Sequence, residues 1–307
     1  MTLVITTCTN RKRKPVTDSL HASSLPSAAL AKVASVWGAR IEAAEPRYAA
    51  SDVYGGRGFQ ESVAASKALD GRLLIVSAGM GLIDASTEIP SYACTILTDS
   101  PDSISNRVDG GVAPADWWRE LTAASLFAMT VASTVASSIG LICAALSEAY
   151  IALIADDLIA LPLAHLQRLR LFTRAPAARV PEPLQPLVMP YDDRLDGADS
   201  PITGTRSDFA GRALRHFAEH IHEPDDARSA AEHADAVTAA QVGWRAAARF
   251  ERARHDDEVL KALIAQHWIP ANGSGSRLLR IFRDDLNIAC EQGRFAALVR
   301  EVRATSP

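Results

Sequence analysis

Residues Arg72–Tyr92, RLLIVSAGMGLIDASTEIPSY, decide how the rest of the chain is read. Leu73 to Val76 is a short apolar run of the length and branching of a buried strand. It stops at Ser77-Ala78-Gly79-Met80-Gly81, where small residues let backbone or ligand approach backbone without a Cβ in the way. Leu82 and Ile83 re-enter the core, and Asp84, Glu88 and Tyr92 supply polar groups beyond the strand. In an open α/β sheet, ligands sit at the carboxyl ends of strands. Ser77, Gly79, Gly81 and Tyr92 are therefore expected to contact a ligand. A tight connection with two turn glycines is the plainer alternative.

Leu3 to Thr7 reads as a first strand. It runs into Cys8-Thr9-Asn10-Arg11-Lys12-Arg13-Lys14-Pro15, whose four successive cations suit an anion, phosphate above all. Asn10, Arg11, Lys12 and Lys14 are expected ligand contacts beside Gly79 and Gly81. The cations would favour a thiolate at Cys8; a small buried residue at a strand end is the other reading. Leu20 to Val36 looks helical, and Ala43 to Ala50 holds a weaker strand. The glycine-rich Ser51 to Phe59 then precedes a helix, Gln60 to Leu69, whose N-terminal amides would lie near it. Neither a P-loop nor a dinucleotide fingerprint is present.

The chain has 307 residues, 48% hydrophobic and 22% charged, enough for a large core or two domains. A formal charge of -4 argues against a wholly basic nucleic-acid coat. No basic region precedes a long apolar stretch at the N-terminus, so a secretory signal is not expected. Ala123 to Ile142 is long enough for a membrane span but diluted by Ser and Thr, and reads as a buried helix and a strand. Cys8, Cys94, Cys143 and Cys290 form no C-x-x-C pair, which suits a reducing, cytoplasmic setting. His21, His165 and His216 lack ligand spacing, and neither a metal nor a cofactor is expected. Pro176 to Pro190 cannot be helical, although Leu187-Val188-Met189 has the character of a last strand. The acidic Tyr191 to Asp199 reads as a solvated turn.

Several ordered motifs carry a family resemblance. Asp52-Val53-Tyr54-Gly55-Gly56, then Ser77-Ala78-Gly79-Met80-Gly81-Leu82-Ile83, then Ile89-Pro90-Ser91-Tyr92 is similar to the YaaA family of peroxide-stress proteins. Asp116 to Thr122, Leu141 to Tyr150 and Gly204 to Ile221 continue it more weakly, the last with Arg206, Arg212 and Arg215. The resemblance spans residues 1 to 222. It departs at Cys8 with its basic cluster, and at Ala93, where the family has an arginine. It implies a single α/β domain with a positively charged, DNA-binding cleft, and no established reaction.

Beyond Ile221 the character changes. Glu223-Pro224-Asp225-Asp226 reads as a helix stop and a linker. Ala227 to Arg254 follows as a long helix, and Asp256 to Trp268 as another, capped by Asp256 or Asp257. After the turn Pro270 to Ser276 come helical segments at Arg277 to Phe282 and Cys290 to Val302, the first capped by Ser276. Arg277, Arg280 and Arg283 share one face by spacing, and Leu278, Leu279 and Phe282 another. That is the pattern of a helix-turn-helix, or of a helical dimerisation module.

The expectation is a mixed or mostly parallel α/β core over residues 1–222 and a helical module over 223–307. The favoured function is DNA binding in a basic cleft, with nucleobase or backbone chemistry as an extension. Cys8, Lys12, Tyr54, Glu88 and Glu148 are the candidate catalytic residues. Tyr54 and Tyr92 would stack on a base or serve as interface aromatics. An enzyme on a free nucleotide or nucleobase is one alternative. The other is a non-catalytic subunit joining a homodimer or protein partner through its C-terminal helices. No membrane association is expected.

Overall fold

The computed structural model describes residues 1–247 and 252–305. The chain divides into two compact units, Met1–Ala247 and Ala248–Pro307.

The first unit is α/β. Its strands are β1 (Leu3–Thr7), β2 (Arg47–Ala49), β3 (Arg72–Ser77), β4 (Gly81–Asp84), β5 (Glu88–Pro90), β6 (Ile142–Ala145) and β7 (Leu169–Phe172). Its helices are α1 (Leu30–Ala43), α2 (Ala50–Val53), α3 (Arg57–Ala68), α4 (Pro114–Ala124), α5 (Val131–Ala136), α6 (Glu148–Ile159), α7 (Leu163–Leu166), α8 (Phe209–His220) and α9 (Ala230–Ala240). Five strands form one sheet in the order β4-β3-β1-β6-β7. β3, β1, β6 and β7 run parallel, and β4 returns antiparallel along β3. β2 and β5 make a separate antiparallel ribbon.

Side-chain alternation along β1 sets the layers. Leu3 and Ile5 join one core, with Trp37, Trp117, Leu121 and Ile154 from α1, α4 and α6. Val4 joins the other, with Ala65 from α3, Phe209 and Phe217 from α8, and Val237 from α9. Fully buried strands read as continuous apolar runs, which is why β1, β3 and β6 were legible.

The central stretch folds differently from its ligand-loop reading. Residues 78–80 turn β3 into β4, so Gly79 and Gly81 belong to a hairpin. Gly81 has φ +85, and a Cβ there would meet that of Ala128 at 2.6 Å. Other boundaries also move. The expected helix from Leu20 begins only at Leu30, after 3-10 turns at Asp18–Leu20 and Ala22–Ser24. Val188 makes one isolated bridge to Leu171, so Leu187-Val188-Met189 is not a full strand. The acidic turn is engaged, with Arg174 binding Asp193 and Asp196.

The expected break at Glu223–Asp226 does not separate the units. The Asp226 carboxylate accepts from Arg228 and from His233 Nε2, the latter at 2.8 Å. His233 Nδ1 in turn accepts from Arg170 Nε on β7 at 2.8 Å. Burial raises the Asp226 pKa, but these charged hydrogen bonds outweigh it and hold the group well below the usual carboxylate range. The network ties α9 to the sheet, moving the division to Ala247. The expected long helix ends at Ala240, and Gly243 at φ +83 cannot continue it.

The second unit is helical, with α10 (Asp257–His267), α11 (Gly275–Arg280), a π-helical turn at Ile281–Asp285 and α12 (Gln292–Thr305). Asp256 caps α10, and Ser274, not Ser276, caps α11. Leu260, Ile264, Leu278, Phe282, Phe295 and Leu298 make its own small core.

Candidate functional site

The carboxyl end of β1 separates two unlike environments. On the α1/α4/α6 side, the polar residues singled out in the sequence pack into a closed cluster. Tyr54 and Tyr92 are fully buried, with their hydroxyls 2.8 Å apart. Ser77 Oγ bonds the Tyr92 hydroxyl and accepts from the amides of Gly79 (3.2 Å) and Met80 (3.0 Å). Trp37 and Trp117 donate to the carbonyls of Gly79 (2.7 Å) and Ala78 (2.8 Å). Cys8 Sγ lies 2.9 Å from the Tyr150 hydroxyl. Lys12 is the cation that turns inward: its Nζ donates to Thr9 O and lies 4.7 Å from the Tyr92 ring centroid and 5.2 Å from that of Tyr54.

Burial raises the pKa values of Tyr54, Tyr92 and Tyr150, so these phenols stay protonated and serve as hydrogen-bond donors, not bases. Burial lowers that of Lys12, against an opposing pull from Cys8. An amine that loses its proton more readily than usual is chemically the most versatile group here. For the tyrosines and for Gly79 alike, the cluster agrees with the plainer alternative: the tyrosine rings are buried with their hydroxyls bonded, and Gly79 makes room for Tyr92, whose Cε2 would lie 2.4 Å from an added Cβ.

On the α3/α8 side lies an open crevice of about 240 Å³. Thr6, Thr7, Thr9 and Arg11 line it from β1 and the basic loop, and Gly55–Phe59 line it from the start of α3. Ala145 and Ser147 close it from β6 and α6, and Ser207, Asp208 and Gly211 from the approach to α8. The chain leaves β1 for β3 on one side and later places β6 on the other, so the crevice sits where strand order reverses. Neither α3 nor α6 has a side-chain cap hydrogen bond, which leaves first-turn amides available there.

Local chemistry builds this wall. Thr9 Oγ1 donates to Gly55 O and Gly55 N to Arg11 O, the latter at 2.8 Å, pinning the basic loop against the glycines. Gly56 has φ +123, a conformation that L side chains avoid. A Cβ on Gly211 would meet Gly58 O at 2.4 Å, so α3 and α8 approach closely behind the crevice. The Asp208 carboxylate is engaged by Arg212 Nε at 2.6 Å. Arg11 is exposed, and its side chain has no hydrogen-bond partner among the described residues.

The remaining expected residues line neither the cluster nor the crevice, although Asn10 and Glu148 adjoin the crevice residues Thr9, Arg11 and Ser147 along the chain. Glu88 is exposed on the β2–β5 ribbon, and Glu148 is exposed with Arg179 at 3.7 Å. Lys14 Nζ sits 4.7 Å from the Tyr48 ring centroid, while Asn10 and Arg206 are exposed. Arg212 is fully buried between Asp196 and Asp208, a structural role. Arg277 and Arg280 are exposed, whereas Arg283 is half-buried and leaves their shared face. Sequence reasoning reached Ser147 only through the family resemblance and missed Thr6, Ser207 and Gly211; the glycine-rich segment before α3 was the available signal.

His222, Asp226 and His233 place potential metal-binding atoms within 4.8 Å of one another. The donor set does not fit a metal. Arg170 donates to His233 Nδ1, so a neutral imidazole carries its hydrogen on Nε2, directed at Asp226.

No protein-family model, curated protein or solved structure matches the chain. Among the described residues, no helix is long and apolar enough to cross a membrane. All four cysteines are free and buried.

Proposed function

We propose that the chain is a DNA-binding protein that seats one nucleotide of a strand in the crevice between β1 and β6. The observation carrying this reading is the convergence of an exposed, unpaired Arg11 with the uncapped starts of α3 and α6 at a strand-order reversal. The phosphate would lie on the amides of residues 57–59 and the Arg11 guanidinium, which forms short, strong hydrogen bonds to phosphate oxygens. Thr6, Thr9, Ser147 and Ser207 would meet the sugar and base edge. Arg13, also exposed, would lead the strand toward the crevice.

The hydroxyls of Thr6, Thr9 and Ser147 lining the crevice also favour a second reading, an enzyme on a free nucleotide or nucleobase. In either case Lys12 and Cys8 belong to the closed cluster and do not line the crevice.

Titrating the full chain with a single-stranded oligonucleotide, a duplex and a nucleoside monophosphate over a salt series separates the readings. DNA binding predicts a steep salt dependence, with the slope about one unit smaller in Arg11→Ala. Binding of the monophosphate alone favours the free-nucleotide reading. No binding of any of the three rejects both.

A further inference from the structure

The second unit contains a pocket of about 430 Å³ that the proposed function does not use. Arg252, Arg254, Arg283 and Arg294 line it, with Glu291 as the acidic residue. Four guanidinium groups line it; Asp257 pairs with Arg294 and Asp284 lies 3.8 Å from Arg252, so with Glu291 the local excess is one positive charge, in a chain whose formal net charge is -4.

Backbone geometry creates this grouping. Continued α-helical spacing would carry Arg283 round with Arg277 and Arg280, but the π-helical turn at Ile281–Asp285 changes its direction. Main-chain carbonyls then fix two of the arginines. Arg252 Nε donates to Arg283 O at 3.1 Å, and Arg283 donates to Cys290 O at 3.4 Å. Arg294 is held from outside by Asp257 and His255 O. Glu291 accepts from the amides of Gly293 (2.8 Å) and Arg294 (2.7 Å), so its carboxylate is already engaged. Arg254 is exposed and makes no hydrogen bond among the described residues. Guanidinium groups fixed by part of their donors keep the rest in a planar fork, the arrangement that matches phosphate oxygens.

We infer that this pocket is a second anion site, which takes the phosphate of a phosphate monoester between Arg254, Arg283 and Arg294. The volume leaves room beyond the phosphate for the group that carries it. A free nucleotide and a 5′-phosphorylated strand end present the same chemistry. The inference uses none of the crevice residues, so it stands or falls independently of the DNA reading.

The test is calorimetric titration of the full chain with inorganic phosphate, in an Arg11→Ala background that weakens the crevice. Arg254→Ala, at an exposed position without hydrogen bonds, should weaken binding about tenfold without affecting folding. Arg283→Lys should lose a similar factor, because lysine keeps the charge but not the fork. Unchanged affinity in both variants overturns the proposal, as does an Arg11→Ala parent that binds no phosphate at millimolar concentration. Once phosphate binding is established, oligonucleotides with a 5′-phosphate and a 5′-hydroxyl are compared. Tighter binding of the phosphorylated end that is lost in Arg254→Ala assigns a strand end, and equal binding assigns a free phosphate monoester.

Discussion

The two sides of the β1 carboxyl end use similar residues for opposite purposes. Both contain glycines, hydroxyls and a cation from the same basic loop. On the α1/α4/α6 side the hydroxyls bond one another, the glycines admit a tyrosine ring, and Lys12 folds inward. On the α3/α8 side the glycines start a helix, the amides remain uncapped, and Arg11 points out. A cluster of chemically able residues is therefore not yet a site; unspent hydrogen-bonding capacity is what distinguishes one. Substitutions on the closed side should change stability with little direct effect on binding, and those on the open side the reverse.

The largest effect is expected at Gly79. Gly79→Ala forces a Cβ against the Tyr92 ring and should cost about 3 kcal/mol in urea unfolding. Gly110→Ala, with φ +78 and open space around it, should cost only about 1 kcal/mol. Equal costs would mean that the hairpin is not tightly packed. Next comes Ser77→Ala, which leaves two buried amides and the Tyr92 hydroxyl short of a partner, at about 2 kcal/mol. Oligonucleotide affinity should be nearly unchanged in that variant, and a large loss would bring the closed cluster into the binding site.

The layer behind the crevice should be pH-sensitive. Burial, aided by His220, pushes the His216 pKa down to about 4. The unfolded chain takes up this proton near pH 6.5, so the contribution to stability is intact above that and lost as pH falls toward 4. Unfolding midpoints measured across this window should drop in the native chain and flatten in His216→Asn. The smallest stability effect is expected for Arg11→Ala, within about 0.5 kcal/mol. Its oligonucleotide affinity should nevertheless fall about tenfold.

The sequence made the sheet legible where burial on both faces produced continuous apolar runs, as at Leu3 to Thr7 and Leu73 to Val76. Periodicity cannot reveal that β4 doubles back, because a hairpin and a ligand loop both use Gly-x-Gly. The domain division was displaced for a similar reason: Glu223–Asp226 has a linker's composition, and only the contact of His233 with Arg170 shows it to be a fastening. At the site, the basic loop and the glycine-rich segment were both visible. Their joint wall was not, because residues 9–11 meet residue 55 through contacts to its main chain, Thr9 Oγ1 to Gly55 O and Gly55 N to Arg11 O, that sequence patterns do not encode.

Glycine-selective 15N labelling separates the open crevice from the closed cluster in one experiment, because glycines mark both sides of β1. Addition of a nucleoside monophosphate or a short oligonucleotide should shift the amides of Gly55, Gly56, Gly58 and Gly211, leaving Gly79 and Gly81 nearly still. Shifts concentrated at Gly79 and Gly81, with the crevice glycines unmoved, would contradict the account and return the site to the central hairpin.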